Sequence, residues 1–330
     1  MVARRMISRV VRIVVLCLLA VVLSACQKEL CYDHSHREVQ LSVQFDWSAV
    51  GAQARPTTMA LVIFAEGAQP VQSSFFGRNG GTVSLSPNSY QFVSFNDDVE
   101  TVFSRGTTWQ EFELYAQPTE MSRISRMFSS TRVPMARGTE DQNVVLEPDL
   151  VWTSALDVTP LVDIDSKTVT MPMESPVTEY TFNIADVENL TYATEIMGTL
   201  SGMSGSWLPA QHRCSDTRCI IPFTLSDTGA GNALTGTVRT FGHSAETSSS
   251  EQTPHLLTIY AEMKDGSRVY FVTDVTEAIN NATSKIDETT GNPEIEITVD
   301  KLPLPEPVTD SGLNPAVGEW TEVNIAVPMD

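Results

Sequence analysis

The sequence predicts an all-β protein built from two β-sandwich domains in tandem. Short apolar or alternating segments of strand length recur at near-regular spacing through most of the 330 residues, and windows with helical periodicity are few. Each half of the chain holds about seven such segments, the number typical of a β-sandwich. The predicted divisions are a leader at 1–25, a tether at 26–36, and sandwiches at 37–148 and 149–330.

Strands of the first half are indicated by alternation and by apolar runs between turn residues. Apolar residues at 39, 41, 43 and 45 alternate with polar ones, as in a half-buried strand, and residues 59–65 form a continuous apolar run. Residues 121–130 are expected to form a helical turn or a loop, and Glu147-Pro148-Asp149 is the predicted domain boundary. The other predicted strands lie at 82–85, 90–95, 99–103, 112–116, 133–136 and 144–146.

The second half repeats this organisation. Asp265-Gly266 is a hairpin-type turn between two predicted strands. Residues 274–282 open like a helix, with Asp274 as its cap. Residues 244–253 are predicted as a loop and 302–307 as a proline-rich connector. Strands are predicted at 158–164, 168–171, 177–184, 192–200, 219–225, 234–240, 255–263, 269–273, 295–299 and 320–327.

The start of the chain has the pattern of an export signal. Four arginines precede a short apolar run that ends in Leu23-Ser24-Ala25-Cys26, and the run is shorter than the roughly 20 residues of a membrane span. The last four residues resemble the bacterial lipobox, which predicts that Cys26 becomes the first mature residue and carries acyl chains. Several acyl chains would hold the protein firmly in a membrane, since each buried CH2 contributes about 0.8 kcal/mol of binding free energy.

Charge excludes some classes of partner. The chain has 21 basic and 41 acidic residues, a net charge of −20. Residues 1–25 carry four arginines and no acid, so the mature chain has 17 basic and 41 acidic residues, a net charge of −24. Nucleic acid is therefore not an expected partner, because its phosphates require a basic surface.

Cysteines are few outside the leader and the lipidation position. Cys214 and Cys219 flank a hydrophilic tetrapeptide, and outside the cytoplasm such a pair could close a hairpin loop as a disulfide. The alternative is a pair of metal-binding thiols. The disulfide is preferred because no second cysteine pair is available to complete a zinc site.

A search for catalytic chemistry finds no convergent site. Ser204 in Gly-Met-Ser-Gly is close to a nucleophile elbow, but the second glycine is one position early. His212, His243 and His255 are far apart in sequence. The sequence therefore predicts a protein that is not an enzyme, with no cofactor and no metal. Four tryptophans could form a carbohydrate platform, although core packing is the commoner role; they are Trp109, Trp152, Trp207 and Trp320.

Several motifs together resemble one family of bacterial surface proteins. These motifs are residues 26–34 with 43–47, then 90–98, then Asn189-Leu190 with 200–203, and 272–275. In this order they resemble the fimbrillin and fimbrial-anchor superfamily of Bacteroidales lipoproteins. The resemblance implies two tandem transthyretin-like β-sandwiches, an outer-membrane location facing the cell surface, and fimbrial subunits as partners that assemble by β-strand addition.

The resemblance leaves a choice between a lipid-anchored subunit and a proteolytically processed one. Processing in the family follows an arginine after the first strand. Here Pro56 follows Arg55, which disfavours cleavage, and Arg37 precedes the first strand, so both favour an uncleaved, anchor-like protein. The last strand, at 322–327, is the expected partner contact, because terminal strands exchange most readily. The alternative is a surface glycan-binding lipoprotein.

Overall fold

The computed structural model describes residues 38–51, 54–66, 69–128, 132–161, 166–229, 231–243, 254–287, 292–306 and 319–324. These residues form an all-β protein, which confirms the predicted fold class. The two α-helices within the described ranges are α1 (Ser122–Met127) and α2 (Thr276–Asn281). No helix in that part of the chain has the length and apolar character needed to cross a membrane.

The strands are numbered in chain order. Those of the first part are β1 Val39–Asp46, β2 Met59–Ala65, β3 Pro70–Phe76, β4 Gly81–Leu85, β5 Ser89–Asn96, β6 Val102–Arg105, β7 Glu113–Ala116, β8 Asn143–Val144, β9 Thr153–Pro160 and β10 Ser166–Pro172. Those that follow are β11 Thr178–Ile184, β12 Val187–Glu188, β13 Ala193–Ser204, β14 Ser206–Leu208, β15 Arg213–Cys214, β16 Arg218–Thr224, β17 Ser226–Asp227, β18 Leu234–Thr240, β19 Leu256–Met263, β20 Arg268–Asp274, β21 Lys285–Ile286, β22 Pro293–Val299, β23 Leu302–Pro303 and β24 Trp320–Asn324.

The N-terminal part is built from two facing sheets. One has the order β10-β1-β4 and the other β3-β2-β5-β9. The alternating residues of β1 predicted to be buried, from Val39 to Phe45, are at most 7% exposed and face the other sheet's Met59, Leu61 and Ile63 in one cluster. Sequence alternation therefore identified the inward face of β1 correctly.

Strand β2 lies between two hydrophobic clusters, which explains its continuous apolar run. Met59, Leu61 and Ile63 belong to the N-terminal cluster, whereas Val62 and Phe64 belong to the large cluster of the C-terminal part. Successive side chains of a strand point to opposite faces, so a strand with protein on both sides needs apolar residues at every position. The sheet containing β2 thus joins the two halves of the molecule.

The C-terminal part is a sandwich of a six-stranded and a five-stranded sheet. Their orders are β24-β20-β19-β13-β16-β8 and β17-β18-β11-β22-β21. The Phe182 ring of β11 stacks on the Phe223 ring of β16 at 5.6 Å between centroids, across the space between the sheets. On the outer face of the six-stranded sheet, α1 packs Ile124 and Phe128 against Met197 and Tyr260.

Two smaller sheets complete the described fold. One has the order β15-β14-β7-β6, and the other pairs β12 with β23. Phe112, just before β7, contacts Phe64 of β2 edge-on at 5.9 Å between ring centroids and Phe95 of β5 at 5.8 Å. These rings connect the smaller sheet to the shared β2 sheet.

The boundary predicted between 148 and 149 does not coincide with a change of sheet. β9 and β10 follow that position, yet β9 pairs with β5 and β10 pairs in parallel with β1. β8 precedes it, yet pairs in parallel with β16. Local patterns mark a strand and its buried face, but they do not specify its partner, so this exchange of strands between the halves was not visible in the sequence.

Individual strands were also missed or misplaced. β3 was not predicted, because Val71 and Phe75 are exposed and the strand lacks clear alternation. Residues 133–136 were predicted as a strand but form none. The turn after β3 requires glycine: Gly80 has φ +93°, and a Cβ there would lie 2.0 Å from the Val43 carbonyl oxygen.

Candidate interaction edge

Strand β24 forms one edge of the six-stranded sheet. It pairs in parallel with β20, from Arg268 opposite Trp320 to Val272 opposite Asn324. Thr321 and Glu322 are exposed, and within the described ranges no strand pairs with the outer side of β24. An edge strand presents backbone N–H and C=O groups that another strand can pair with. The predicted strand at 320–327 is thus confirmed over its first five residues.

One aromatic side chain fixes β24 to the body of the sandwich. The Trp320 ring packs edge-on against Phe128 at 5.2 Å and against Tyr260 at 5.5 Å between centroids. A second contact is the Tyr270 hydroxyl, which donates a hydrogen bond to Glu322 Oε2 at 2.9 Å. The strand is therefore anchored by Trp320 on the outer face of the sheet and by Val323, which packs against the large cluster, whereas Thr321 and Glu322 are exposed.

The predicted disulfide between Cys214 and Cys219 is not formed, because the structure has both as free, buried cysteines. Cys214 ends β15, which pairs with β14, whereas Cys219 lies in β16, which pairs with β13 and β8 in a different sheet. The two strands therefore do not form the expected hairpin. Burial raises the pKa of both thiols, that of Cys219 to about 12, which makes them poor nucleophiles and metal ligands at neutral pH.

The tryptophans do not form the exposed platform that glycan binding would use. Trp152 is buried, and Trp109, Trp207 and Trp320 are half-buried against the hydrophobic clusters. Trp109 also donates its indole N–H to the Phe92 carbonyl at 3.2 Å. Core packing accounts for these rings.

Ser204 is buried and hydrogen-bonded to the backbone, so its hydroxyl is not available as a nucleophile. It is 1% exposed, and its hydroxyl lies 2.9 Å from the Ser206 carbonyl oxygen and 2.8 Å from that of Ser215. The preceding Gly202 has φ +78° at a break in the register between β13 and β16, which is a β-bulge. The Gly-Met-Ser-Gly motif therefore encodes a bulge and not a nucleophile elbow.

Sequence analysis did not connect His243 with His255, but the structure brings them together. Their ring centroids are 5.4 Å apart, and His243 Nδ1 lies 3.0 Å from the Tyr180 hydroxyl. His255 is 4% exposed, and burial is the first cause that lowers its pKa, to about 4. Pairing of distant strands creates this contact, so no local sequence signal could have indicated it.

The described residues hold no group of three or more His, Cys, Asp or Glu side chains arranged to bind a metal ion. Cys26 and the lipobox lie outside the described residues, and lipidation stays a prediction. Residues 325–327 of the predicted partner contact also lie outside the described residues, so that part of the contact stays a prediction.

Residues 24–224 match the model of a family described as a domain of unknown function, DUF5119. The chain belongs to this family. A comparison with curated protein sequences gave no match.

The chain is similar to solved structures of proteins from Bacteroides ovatus and Porphyromonas gingivalis. A candidate adhesin from Bacteroides ovatus is 21% identical with a TM-score of 0.62, covering 83% of this chain and 95% of that one. The fimbrial anchor protein Mfa2 from Porphyromonas gingivalis is 11% identical with a TM-score of 0.47, covering 79% and 90%. The Bacteroides ovatus match shows that the two chains share a fold, which confirms the predicted resemblance at that level.

Proposed function

We propose that the protein is a lipid-anchored, non-enzymatic subunit of surface fimbriae, held in the outer membrane through Cys26. The fold shared with the Bacteroides ovatus candidate adhesin carries this proposal, because the similarity spans nearly all of that chain. The order of the sequence motifs and the lipobox-like start support the same assignment. The sparse, half-buried tryptophans favour it over glycan binding.

The proposed contact with other fimbrial subunits is a strand that adds to the outer edge of β24. Such strand addition takes its affinity from backbone hydrogen bonds and its register from alternating side chains. β24 suits this role because it is an edge strand whose Thr321 and Glu322 are exposed, while Trp320 and Val323 hold it against the sandwich.

Lipid attachment is tested by mass spectrometry of the protein isolated from its native membrane. We expect a mature chain that begins at Cys26 and carries two or three acyl chains, and a Cys26→Ala variant that leaves the membrane fraction. The cause is the loss of acyl chains that each contribute about 0.8 kcal/mol per buried CH2. A lipid-free chain that begins after Arg37 or Arg55 would contradict the anchor and indicate a processed subunit.

Strand addition is tested with Trp320→Ala. Loss of the ring contacts with Phe128 and Tyr260 should loosen β24, speed amide exchange at 320–324 and weaken binding to purified fimbrial subunits by roughly tenfold. Phe103→Ala is the matched control, because Phe103 is a 44% exposed aromatic residue on another edge strand, β6. Unchanged or tighter binding by Trp320→Ala would contradict addition to the outer edge of β24.

A further inference from the structure

One segment of this acidic chain is purely basic. Residues 121–139, here called the arginine segment, contain four arginines and no acidic residue, in a chain with 41 acidic and 21 basic residues. The structure describes this segment except for residues 129–131. The acids that flank it bond to the segment itself: Glu120 accepts a hydrogen bond from Ser122 at 3.0 Å, and Glu140 accepts one from the Gly138 N–H at 2.8 Å.

The fold holds the arginine segment by its apolar side chains and leaves three of its arginines exposed. Ile124, Phe128 and Val133 are buried against the six-stranded sheet, and Tyr260 donates a hydrogen bond to the Pro134 carbonyl at 2.7 Å. The exposed residues on the other side are Arg126, Met127, Arg132 and Arg137. Arginine and methionine are both enriched at protein interfaces.

The opposite face of the same sandwich is acidic. On the five-stranded sheet, Glu179 of β11 lies directly beside Glu294 of β22, and Glu296 follows on the same face of β22. Two cations lie among them: Arg239 contacts Glu147 at 2.6 Å, and Lys285 lies 3.8 Å from Glu296. We call this surface the acidic face; its members are Glu147, Glu179, Asp287, Glu294 and Glu296.

The acidic face keeps an excess of negative charge. Even without Asp287, its four glutamates outnumber Arg239 and Lys285. The pKa of Glu179 is raised, first by burial and then by the nearby Glu294, Glu147 and Asp287, against the lowering effect of Arg239. A cation brought to this surface would be attracted.

The two charged surfaces lie on opposite sides of the C-terminal sandwich. Tyr180 and Phe182 point into the core between the sheets, so Glu179 and Thr181 point out of the five-stranded sheet. On the six-stranded sheet, Ile259 points into the same core, whereas Tyr260 points out towards the arginine segment. Identical molecules can therefore meet basic surface to acidic surface.

Other anionic partners suit the arginine segment less well. Helix α1 has six residues and buries its apolar side in the protein, so it has no free apolar face to insert into a bilayer. A lipid bilayer or a nucleic acid presents negative charge over an extended surface, so binding either would also bring it close to the other acids of the chain, which has 41 acidic and 21 basic residues. An acidic protein surface of limited size remains, and the acidic face of a second copy supplies one.

We propose that the arginine segment of one molecule docks on the acidic face of a second copy. The two surfaces are different patches on opposite sides, so the contact is heterologous and repeats head to tail. This association uses side-chain charges and does not depend on strand addition at β24.

The proposal makes a specific prediction about salt. Two mature chains, each with 17 basic and 41 acidic residues and so a net charge of −24, repel each other over long distances. The Debye length is about 30 Å at 0.01 M salt, about 8 Å at 0.15 M and about 3 Å at 1 M. Moderate salt should therefore screen the long-range repulsion while leaving the contacts intact. Sedimentation velocity should show most self-association near 0.15 M and less at both extremes.

Charge reversal identifies the surfaces. Arg126→Glu with Arg137→Glu should weaken self-association at least tenfold, and so should Glu179→Lys with Glu294→Lys. Lys167→Glu with Arg213→Glu is the matched control for the arginine variant, since it makes the same negative change in net charge on other sheets. Circular dichroism checks that each variant is folded.

Mixing the two reversed variants provides the decisive result. Each should be monomeric alone, and the mixture should associate, because every contact again pairs opposite charges. A mixture that stays monomeric would overturn the proposal. So would a wild-type protein that is monomeric at every salt concentration, or reversed variants that associate as the wild type does.

Discussion

Replacing Phe64 with alanine is expected to lower the free energy of unfolding by about 3–5 kcal/mol. Phe64 is fully buried in β2 and packs edge-on against Phe112 at 5.9 Å between centroids. The substitution removes apolar surface from the core and leaves a cavity where the shared sheet meets the C-terminal cluster. Urea unfolding should show a lower midpoint with an unchanged slope.

Phe75→Ala is the matched control for this prediction. Phe75 belongs to the neighbouring strand β3, where it lies opposite Ala60 of β2, but it is 61% exposed. Its removal should change stability by about 0.5 kcal/mol or less. Equal losses for Phe64→Ala and Phe75→Ala would show that β2 is not enclosed on both faces.

The contrast between these two phenylalanines shows how far the sequence specifies the fold. The apolar run of β2 identified a buried strand, because a strand buried on both faces has apolar residues at nearly every position. The sequence of β3 has no such hydrophobic pattern, because neither of its faces is consistently buried. The pairing of β10 with β1 joins residues more than 120 positions apart, and alternation carries no information about such a partner.

For the candidate interaction edge, too, the sequence predicted the strand itself but not its contacts. The terminal strand could be placed from its own pattern, and the structure confirms Trp320–Asn324 as an edge strand. The ring contacts of Trp320 with Phe128 and Tyr260 join the end of α1, β19 and β24. Sequence analysis could not detect them because these elements meet only in the folded chain. The cysteine prediction failed for the same reason: spacing suggested a hairpin, and the strands joined different sheets.

The protein is expected to lose stability on mild acidification because of His255. Burial, the first cause, together with His243 and Arg218, lowers its pKa from 6.5 to about 4, while Asp274 acts in the opposite direction. The pKa of the neighbouring His243, whose ring lies 3.0 Å from the Tyr180 hydroxyl, is lowered as well, first by burial and then by Arg218. The folded protein therefore holds both rings neutral where the unfolded chain would protonate them.

The sign of the effect follows from proton binding. Below pH 6.5, the pKa of the histidine in the unfolded chain, the unfolded chain binds a proton, whereas His255 in the folded protein stays neutral until the pH approaches 4. The free energy of unfolding therefore falls as the pH falls through this window. Each pKa unit corresponds to about 1.4 kcal/mol. His255 alone should therefore lower the free energy of unfolding by about 2 kcal/mol between neutral pH and pH 5. Urea unfolding at the two pH values measures this loss.

Substitution separates His255 from the other titrating groups. His255→Gln removes the ionisable ring and should reduce the difference in unfolding free energy between neutral pH and pH 5 by about 2 kcal/mol. His212→Gln is the control, because His212 is exposed and contacts Glu174 at 3.0 Å. An equal pH dependence in the wild type and His255→Gln would show that the buried histidine pair does not control acid stability. A pH dependence that is reduced in His255→Gln and unchanged in His212→Gln would show that burial of the His255 ring accounts for the loss of stability in acid.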